Sequence, residues 1–245
     1  MIERVSIELT NACSKACAFC YNRSHPSGAT HWTADALVGF VTDLAANGVQ
    51  AVSFGGGEPL EHPEVFAILE RTRGLLFRSL TTNGLLLDGL LDALVAAGPD
   101  KVHVSIHQPG RAREVDRVVR QVLDLADRGI PSGVNLLVRA SAPEDARRAR
   151  LQLQAAGIGP DRTMFLPMRG ADTPSPRLLA EVAGATAFQS MTCLLACGRS
   201  PRFASVGWDG QVAWCSYTTT RRPLPSPDHA GLSAALDGLG LRYCG

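Results

Sequence analysis

Short apolar runs alternate with longer amphipathic stretches from the start of the chain to about residue 170. The runs at 3–9, 50–54, 76–82, 101–107, 132–138 and 162–167 have the length and composition of strands. The stretches at 33–47, 63–73, 86–97, 112–129 and 143–156 read as helices with one buried face. In 112–129, Val115, Val118, Val119, Val122, Leu123 and Ala126 predict a single apolar stripe. Gly48, Gly98, Gly129 and Gly157 fall where these helices should stop. Repeated strand–helix units predict parallel strands with right-handed crossovers. Six strands predict an α/β fold, a partial (βα)6 TIM-type barrel, with the chemistry at the C-terminal ends of the strands.

Beyond residue 170 the pattern changes. Ala171-Asp172-Thr173-Pro174-Ser175-Pro176 reads as a linker, and 190–217 as a small cysteine-bearing region. Asp209-Gly210 between apolar segments signals a β-hairpin. Arg221-Arg222-Pro223-Leu224-Pro225-Ser226-Pro227 is another loop, and a short helix is expected over 230–238. The expected domains are the barrel at 1–170 and a hairpin/helix extension at 171–245.

Composition narrows the function. A chain of 245 residues with 45% hydrophobic content supports one large domain with a small appendage. Net charge +1 gives no general attraction to nucleic acid or acidic membranes. Lys15 and Lys101 are the only lysines, so nearly all positive charge is arginine, which reads as composition bias. No apolar run is long enough to span a bilayer. Met1-Ile2-Glu3-Arg4 leads straight into the first strand, with no signal-peptide pattern. Seven cysteines in such a chain point to metal sites in a reducing, cytoplasmic compartment.

Three of those cysteines share one loop, Cys13-Ser14-Lys15-Ala16-Cys17-Ala18-Phe19-Cys20, directly after the first strand. Their thiolates can hold three irons of a four-iron cluster and leave the fourth open, whereas electron-carrier clusters use four cysteines. Zinc is the alternative, with His25 or His31 as a further ligand. Gly55-Gly56-Gly57-Glu58-Pro59 follows the second strand. A glycine run lets backbone approach a ligand, and a carboxylate beside it can bind an ammonium group.

Together the two motifs resemble the radical S-adenosylmethionine enzymes. The family's cluster loop is C-x3-C-x-aromatic-C, with Phe19 in the aromatic slot, and its second motif is matched by Gly56, Gly57 and Glu58. The resemblance covers roughly residues 3 to 170. It implies a [4Fe-4S] cluster on Cys13, Cys17 and Cys20 that binds S-adenosyl-L-methionine. One-electron cleavage then gives a 5′-deoxyadenosyl radical that abstracts hydrogen from an unactivated C–H. It also implies roles by position. Glu58 would accept from the ammonium group, with Gly56 and Gly57 beside it, and Phe19 would lie near adenine. Ser105 would contact the ribose or methionyl part. Asn83, in Thr82-Asn83-Gly84, would lie near the cofactor or form a plain turn. Arg117 or Arg120 would bind the carboxylate, and Leu166 would pack on adenine or in the core. Many relatives carry Asp two residues after this serine; here stands His107. It would bind substrate or take a proton, or serve as a hydrogen-bonded structural histidine. Arg169 is a further rim contact.

Cys193, Cys197, Cys215 and Cys244 remain. With Gly210, Cys197 and Cys215 resemble the C-x(9–15)-G-x4-C opening of the SPASM and Twitch auxiliary-cluster domains. The remaining cysteines are too few for SPASM, so a Twitch-like second [4Fe-4S] cluster is implied. Cys193 completes it together with Cys244, or one iron stays open to substrate; structural zinc and unligated buried thiols are the alternatives.

The implied function is net oxidation, a dehydrogenation or cross-link, in natural-product or ribosomal-peptide biosynthesis. Alternatives are a redox-neutral epimerase on a peptide or sugar, a carboxy-deazaguanine-synthase-type enzyme, and a non-catalytic iron–sulfur or zinc protein. The expected partners are a small-molecule or peptide substrate and an external one-electron reductant of flavodoxin or ferredoxin type. A peptide substrate would call for a separate peptide-recognition protein or a short leader. No nucleic-acid or membrane partner is expected.

Overall fold

The computed structural model describes residues 1–184, 194 and 202–241. In chain order the elements are β1 (Arg4–Thr10), α1 (Ala34–Ala46), β2 (Ala51–Gly56), α2 (Val65–Arg71), β3 (Phe77–Thr82), α3 (Leu87–Ala97), β4 (Lys101–Ile106), α4 (Ala112–Asp127), β5 (Ser132–Val138), α5 (Pro143–Ala155), β6 (Thr163–Pro167), α6 (Pro176–Ala183), β7 (Phe203–Val206), β8 (Gln211–Ala213), β9 (Arg222–Pro223) and α7 (His229–Leu236). The fold is α/β with parallel strands, and each of the six expected strands forms within two residues of its predicted bounds. No helix among the described residues is long and apolar enough to cross a membrane.

The chain divides into two compact units. One runs from Met1 to Lys101 and includes the segment from β7 onward; the other begins at Val102 and holds the chain through α6. In the first unit β3, β2, β1 and β7 are parallel neighbours, and β8 and β9 continue antiparallel. In the second, β4, β5 and β6 are parallel.

In β1, Val5, Ile7 and Leu9 point to one face and are buried, while Ser6, Glu8 and Thr10 point to the other. On α1, Leu37, Phe40, Val41 and Leu44 are all buried. Thr33 caps that helix by accepting from the Ala36 N–H. Burying such side chains stabilises by about 1.5–3 kcal/mol each. Arg78 on β3 is a buried strut. It donates to the Leu69 carbonyl near the end of α2, to the Gly98 carbonyl after α3 at 2.6 Å, and through Nε to Asp100 at 3.0 Å.

Three features differ from the sequence expectation. The α4 stripe is buried at Val115, Val118, Gln121, Val122 and Leu125, while Val119 and Leu123 are half-buried and Ala126 is exposed. The buried positions follow the i, i+3, i+7, i+10 track of a straight helix, and the expectation followed apolarity alone. The stretch after 175 is not only linker. Ser175 accepts from the Leu178 N–H and Pro176 occupies the first turn, so α6 starts there. Finally, β7 does more than form the expected hairpin with β8. It also pairs with β1, Ser6 opposite Ser205, and extends the main sheet of its unit.

Candidate active site

The three-cysteine loop leaves β1 and folds back on itself. Asn11 Oδ1 accepts from the Ala29 N–H at 2.7 Å, and the Cys13 N–H donates to the His25 carbonyl at 3.0 Å. Each cysteine carbonyl then closes a tight turn three residues on. Cys13 accepts from Ala16 at 3.3 Å, Cys17 from Cys20 at 3.0 Å, and Cys20 from Arg23 at 3.1 Å. Ala16 and Arg23 take left-handed φ values of 45° and 50°. Such backbone costs roughly 1–2 kcal/mol per residue outside glycine. Cys13 is buried, and Cys17 and Cys20 are half-buried with Phe19 between them. Burial pushes the Cys13 thiol up.

The glycine motif lies directly against this loop. Gly57 N–H donates to the Thr10 carbonyl at 2.6 Å and Glu58 N–H to the Ala12 carbonyl at 2.8 Å. A Cβ on Gly57 would stand 2.2 Å from the Ala12 oxygen, and one on Gly56 2.5 Å from the Thr10 oxygen. Gly56 also has φ +114°. Only glycine permits so close an approach of the two backbones.

Glu58 is anchored from within the fold. Its side chain is fully buried. Oε1 accepts from Thr82 Oγ1 at 2.7 Å and from the Leu60 N–H at 3.1 Å; Oε2 accepts from the Asn83 N–H at 2.7 Å. Burial raises its carboxyl from 4.5 to about 7, against the pull of those three donors. Asn83 in turn donates through Nδ2 to Cys13 Sγ at 3.6 Å, while its Oδ1 accepts from the Leu85 N–H. So Thr82-Asn83-Gly84 is a turn, and it also ties the Glu58 carboxylate to the first cysteine. Glu61, which the sequence reading missed, anchors the same loop by accepting from the Ser14 N–H at 2.8 Å.

The donor set fits a four-iron cluster. Three thiols stand on one loop, with an amide beside the first. Among the described residues no three His, Cys, Asp or Glu side chains converge as a single metal ion would need. Cluster ligands bind separate irons and do not need that convergence.

In the second unit Ser105 is buried near the end of β4. The backbone N–H of His107, just beyond it, donates to Glu114 Oε1 at 2.7 Å. Glu114 went unnoticed in the sequence; its signal is an acid in the first turn of α4. Arg117 is half-buried and donates to Gln121 Oε1 at 3.1 Å, whereas Arg120 is an exposed partner of Asp124. Leu166 is half-buried on β6, and Arg169 is half-buried beyond that strand.

Cys215 is half-buried just after β8, back in the first unit. Tyr217 packs on Tyr21, with ring centroids 4.8 Å apart. Cys193, Cys197 and Cys244 lie outside the described residues.

The family model of the Radical SAM superfamily matches residues 7–138, from β1 through β5. The chain belongs to the radical SAM superfamily. This radical SAM enzyme is similar to the GTP 3′,8-cyclase of Chlorobaculum tepidum, 38% identical over 108 residues, 43% of this chain and 33% of the relative. It is also similar to a probable GTP 3′,8-cyclase of Metallosphaera sedula, 28% identical over 160 residues, 60% of this chain and 50% of the relative. The chain thus spans a third to a half of the length of these curated relatives. Among solved structures, Streptococcus suis SuiB bound to S-adenosylmethionine superposes with TM-score 0.71 at 15% identity, over 91% of this chain and 63% of that one. That likeness bears out the α/β fold class expected from the sequence. The family implies a [4Fe-4S] cluster and S-adenosylmethionine, which Cys13, Cys17, Cys20 and the Gly56–Glu58 segment would hold.

Proposed function

We propose that this radical SAM enzyme carries out a net oxidation, a dehydrogenation or a cross-link, at an unactivated C–H of a small molecule or peptide. A second [4Fe-4S] cluster on the Cys215 segment would accept the electron that the oxidation releases. The observation that carries this reading is the contact between the two cysteine-bearing segments. Tyr21, next to Cys20, packs on Tyr217, two residues after Cys215. An electron acceptor held there would lie close to the cysteine loop. The family's cluster and S-adenosylmethionine supply one-electron cleavage and hydrogen abstraction when bound. The protein's part is to position the groups: the Glu58–Asn83 link fixes Cys13, and Gly56 and Gly57 bring β2 backbone against the loop. Phe19, Ser105, Leu166 and Arg117 (rather than the ion-paired Arg120) are the proposed cofactor contacts, and His107 the proposed proton acceptor. Cys193, Cys197 and Cys244 are the proposed companions of Cys215. The setting is a reducing cytoplasm, with a flavodoxin- or ferredoxin-type reductant and, for a peptide substrate, a separate recognition protein.

A second reading rests on the 38% identity to the C. tepidum relative named as a GTP 3′,8-cyclase. There the substrate would be a purine nucleotide, and the outcome a redox-neutral cyclisation. Product mass separates the two. Net oxidation with a second cluster predicts about eight irons in the wild type and about four in a Cys197→Ala/Cys215→Ala variant. It also predicts a product two mass units lighter than its substrate. GTP converted at unchanged mass would replace this reading with the second, and about four irons in both proteins would remove the second cluster.

A further inference from the structure

On β1 the residue between the buried Ile7 and Leu9 is Glu8, also buried, at 2% exposure. Strand alternation places it on the polar face with Ser6 and Thr10. That face carries a row of hydroxyls at one register: Ser205 on β7, Ser6 on β1, Ser53 on β2 and Ser79 on β3. One step toward the C-terminal ends, Glu8 stands opposite Gly55. A Cβ built on Gly55 meets nothing within 4 Å, so there is open space beside Gly55.

Around the carboxylate, the Tyr21 side chain and the Trp208 backbone favour its charged form, Arg221 lies near as a cation and Asp209 as an anion. Oε1 still has no hydrogen-bond partner among the described residues. A buried acceptor without a donor costs about 1–3 kcal/mol, so a native protein that keeps one there needs a reason. The carboxylate is near two elements of the candidate site: Tyr21 extends the three-cysteine loop, and Arg221 donates to the Ser216 carbonyl next to Cys215.

We propose that Glu8 is the substrate anchor of this enzyme, its free oxygen accepting from an N–H donor on the substrate, with the polyhydroxyl or sugar part of that substrate lying over Gly55 and the serine row. The proposal rests on the reading of this face as the substrate side of a radical S-adenosylmethionine site. The substrate class is a nitrogen-bearing polar molecule, and its donor is either an aliphatic amine or the amino edge of a purine.

Calorimetric binding to the reconstituted full chain tests it. The probes are glucosamine against glucose, and GTP against inosine triphosphate, which lacks the 2-amino group. Wild type, Glu8→Gln and Gly55→Val are compared. Gly55→Val fills the open space and leaves the carboxylate in place. Glucosamine binding over glucose assigns an aliphatic amine; GTP binding over inosine triphosphate assigns a purine edge. Either preference should weaken about tenfold or more in Glu8→Gln, the worth of one hydrogen bond to a charged group, and should be lost in Gly55→Val. Equal affinity in wild type and Glu8→Gln overturns the proposal, as does failure of both probes to bind the wild type. If Gly55→Val weakens S-adenosylmethionine binding and leaves the probe unaffected, the space belongs to the cofactor and the proposal also falls. Iron content and S-adenosylmethionine binding of the same preparations test the underlying reading separately.

Discussion

Glu58→Ala is expected to lower stability by about 3 kcal/mol and to reduce S-adenosylmethionine cleavage about 100-fold or more. The stability effect comes from three buried donors, Thr82 Oγ1 and the N–H groups of Leu60 and Asn83, which lose their acceptor together. The activity effect comes from position. Asn83 reaches both Glu58 and Cys13, so freeing one end lets the first cysteine and the glycine segment drift apart. A misplacement of about 1 Å can cost 100-fold in rate. Denaturant unfolding and a 5′-deoxyadenosine assay on the same protein check both parts. Wild-type stability and full cleavage in the variant would show that the carboxylate does not organise the site.

The same group predicts a pH signature. The folded carboxyl titrates at about 7 and the unfolded one near 4.5. Between these values the folded state holds a proton that the unfolded state has released. Stability of the cofactor-free protein therefore falls as pH rises from about 4.5 to 7 and is level above that, by about 3 kcal/mol in all. Glu58→Gln should remove that slope.

Arg78→Ala is expected to destabilise by about 3–5 kcal/mol, with Arg78→Lys intermediate. Arg78 is 1% exposed, and its fork reaches two carbonyls and the Asp100 carboxylate at once. Alanine leaves the Leu69 and Gly98 carbonyls without their donor and Asp100 without its cation. Lysine keeps the charge but cannot reproduce the planar fork. Because the strut ties β3 to the ends of α2 and α3, the loss should appear in the unfolding midpoint with iron binding retained at low temperature. An unchanged midpoint would contradict that role.

Much of this architecture was legible in the sequence because its signals are local. Apolar runs marked β1 to β6 within two residues. The spacing of Cys13, Cys17 and Cys20 and the run Gly55-Gly56-Gly57-Glu58 announced the chemistry. What stayed hidden depends on partners distant in the chain. The donors that hold the Glu58 carboxylate, Thr82 Oγ1 and the Asn83 N–H, stand more than twenty residues away in the chain. Four-residue β7 pairs with β1 across nearly the whole chain, and nothing local to Phe203–Val206 announces that pairing. Glu8 was visible as a charge inside an apolar strand, and the Ser6, Glu8, Thr10 alternation was the signal for a polar face. Helix α6 was masked by Pro174 and Pro176, which read as loop although Ser175-Pro176 is also a helix start.

The central claim is that the loop carrying Cys13, Cys17 and Cys20 holds a cluster that cleaves S-adenosylmethionine. The direct test is 5′-deoxyadenosine formed by the anaerobically reconstituted, reduced wild type beside a Cys13→Ala/Cys17→Ala/Cys20→Ala variant, with iron counted in both. The predicted result is 5′-deoxyadenosine from the wild type, none from the variant, and a loss of about four irons. A variant that keeps its iron and still forms 5′-deoxyadenosine would contradict it.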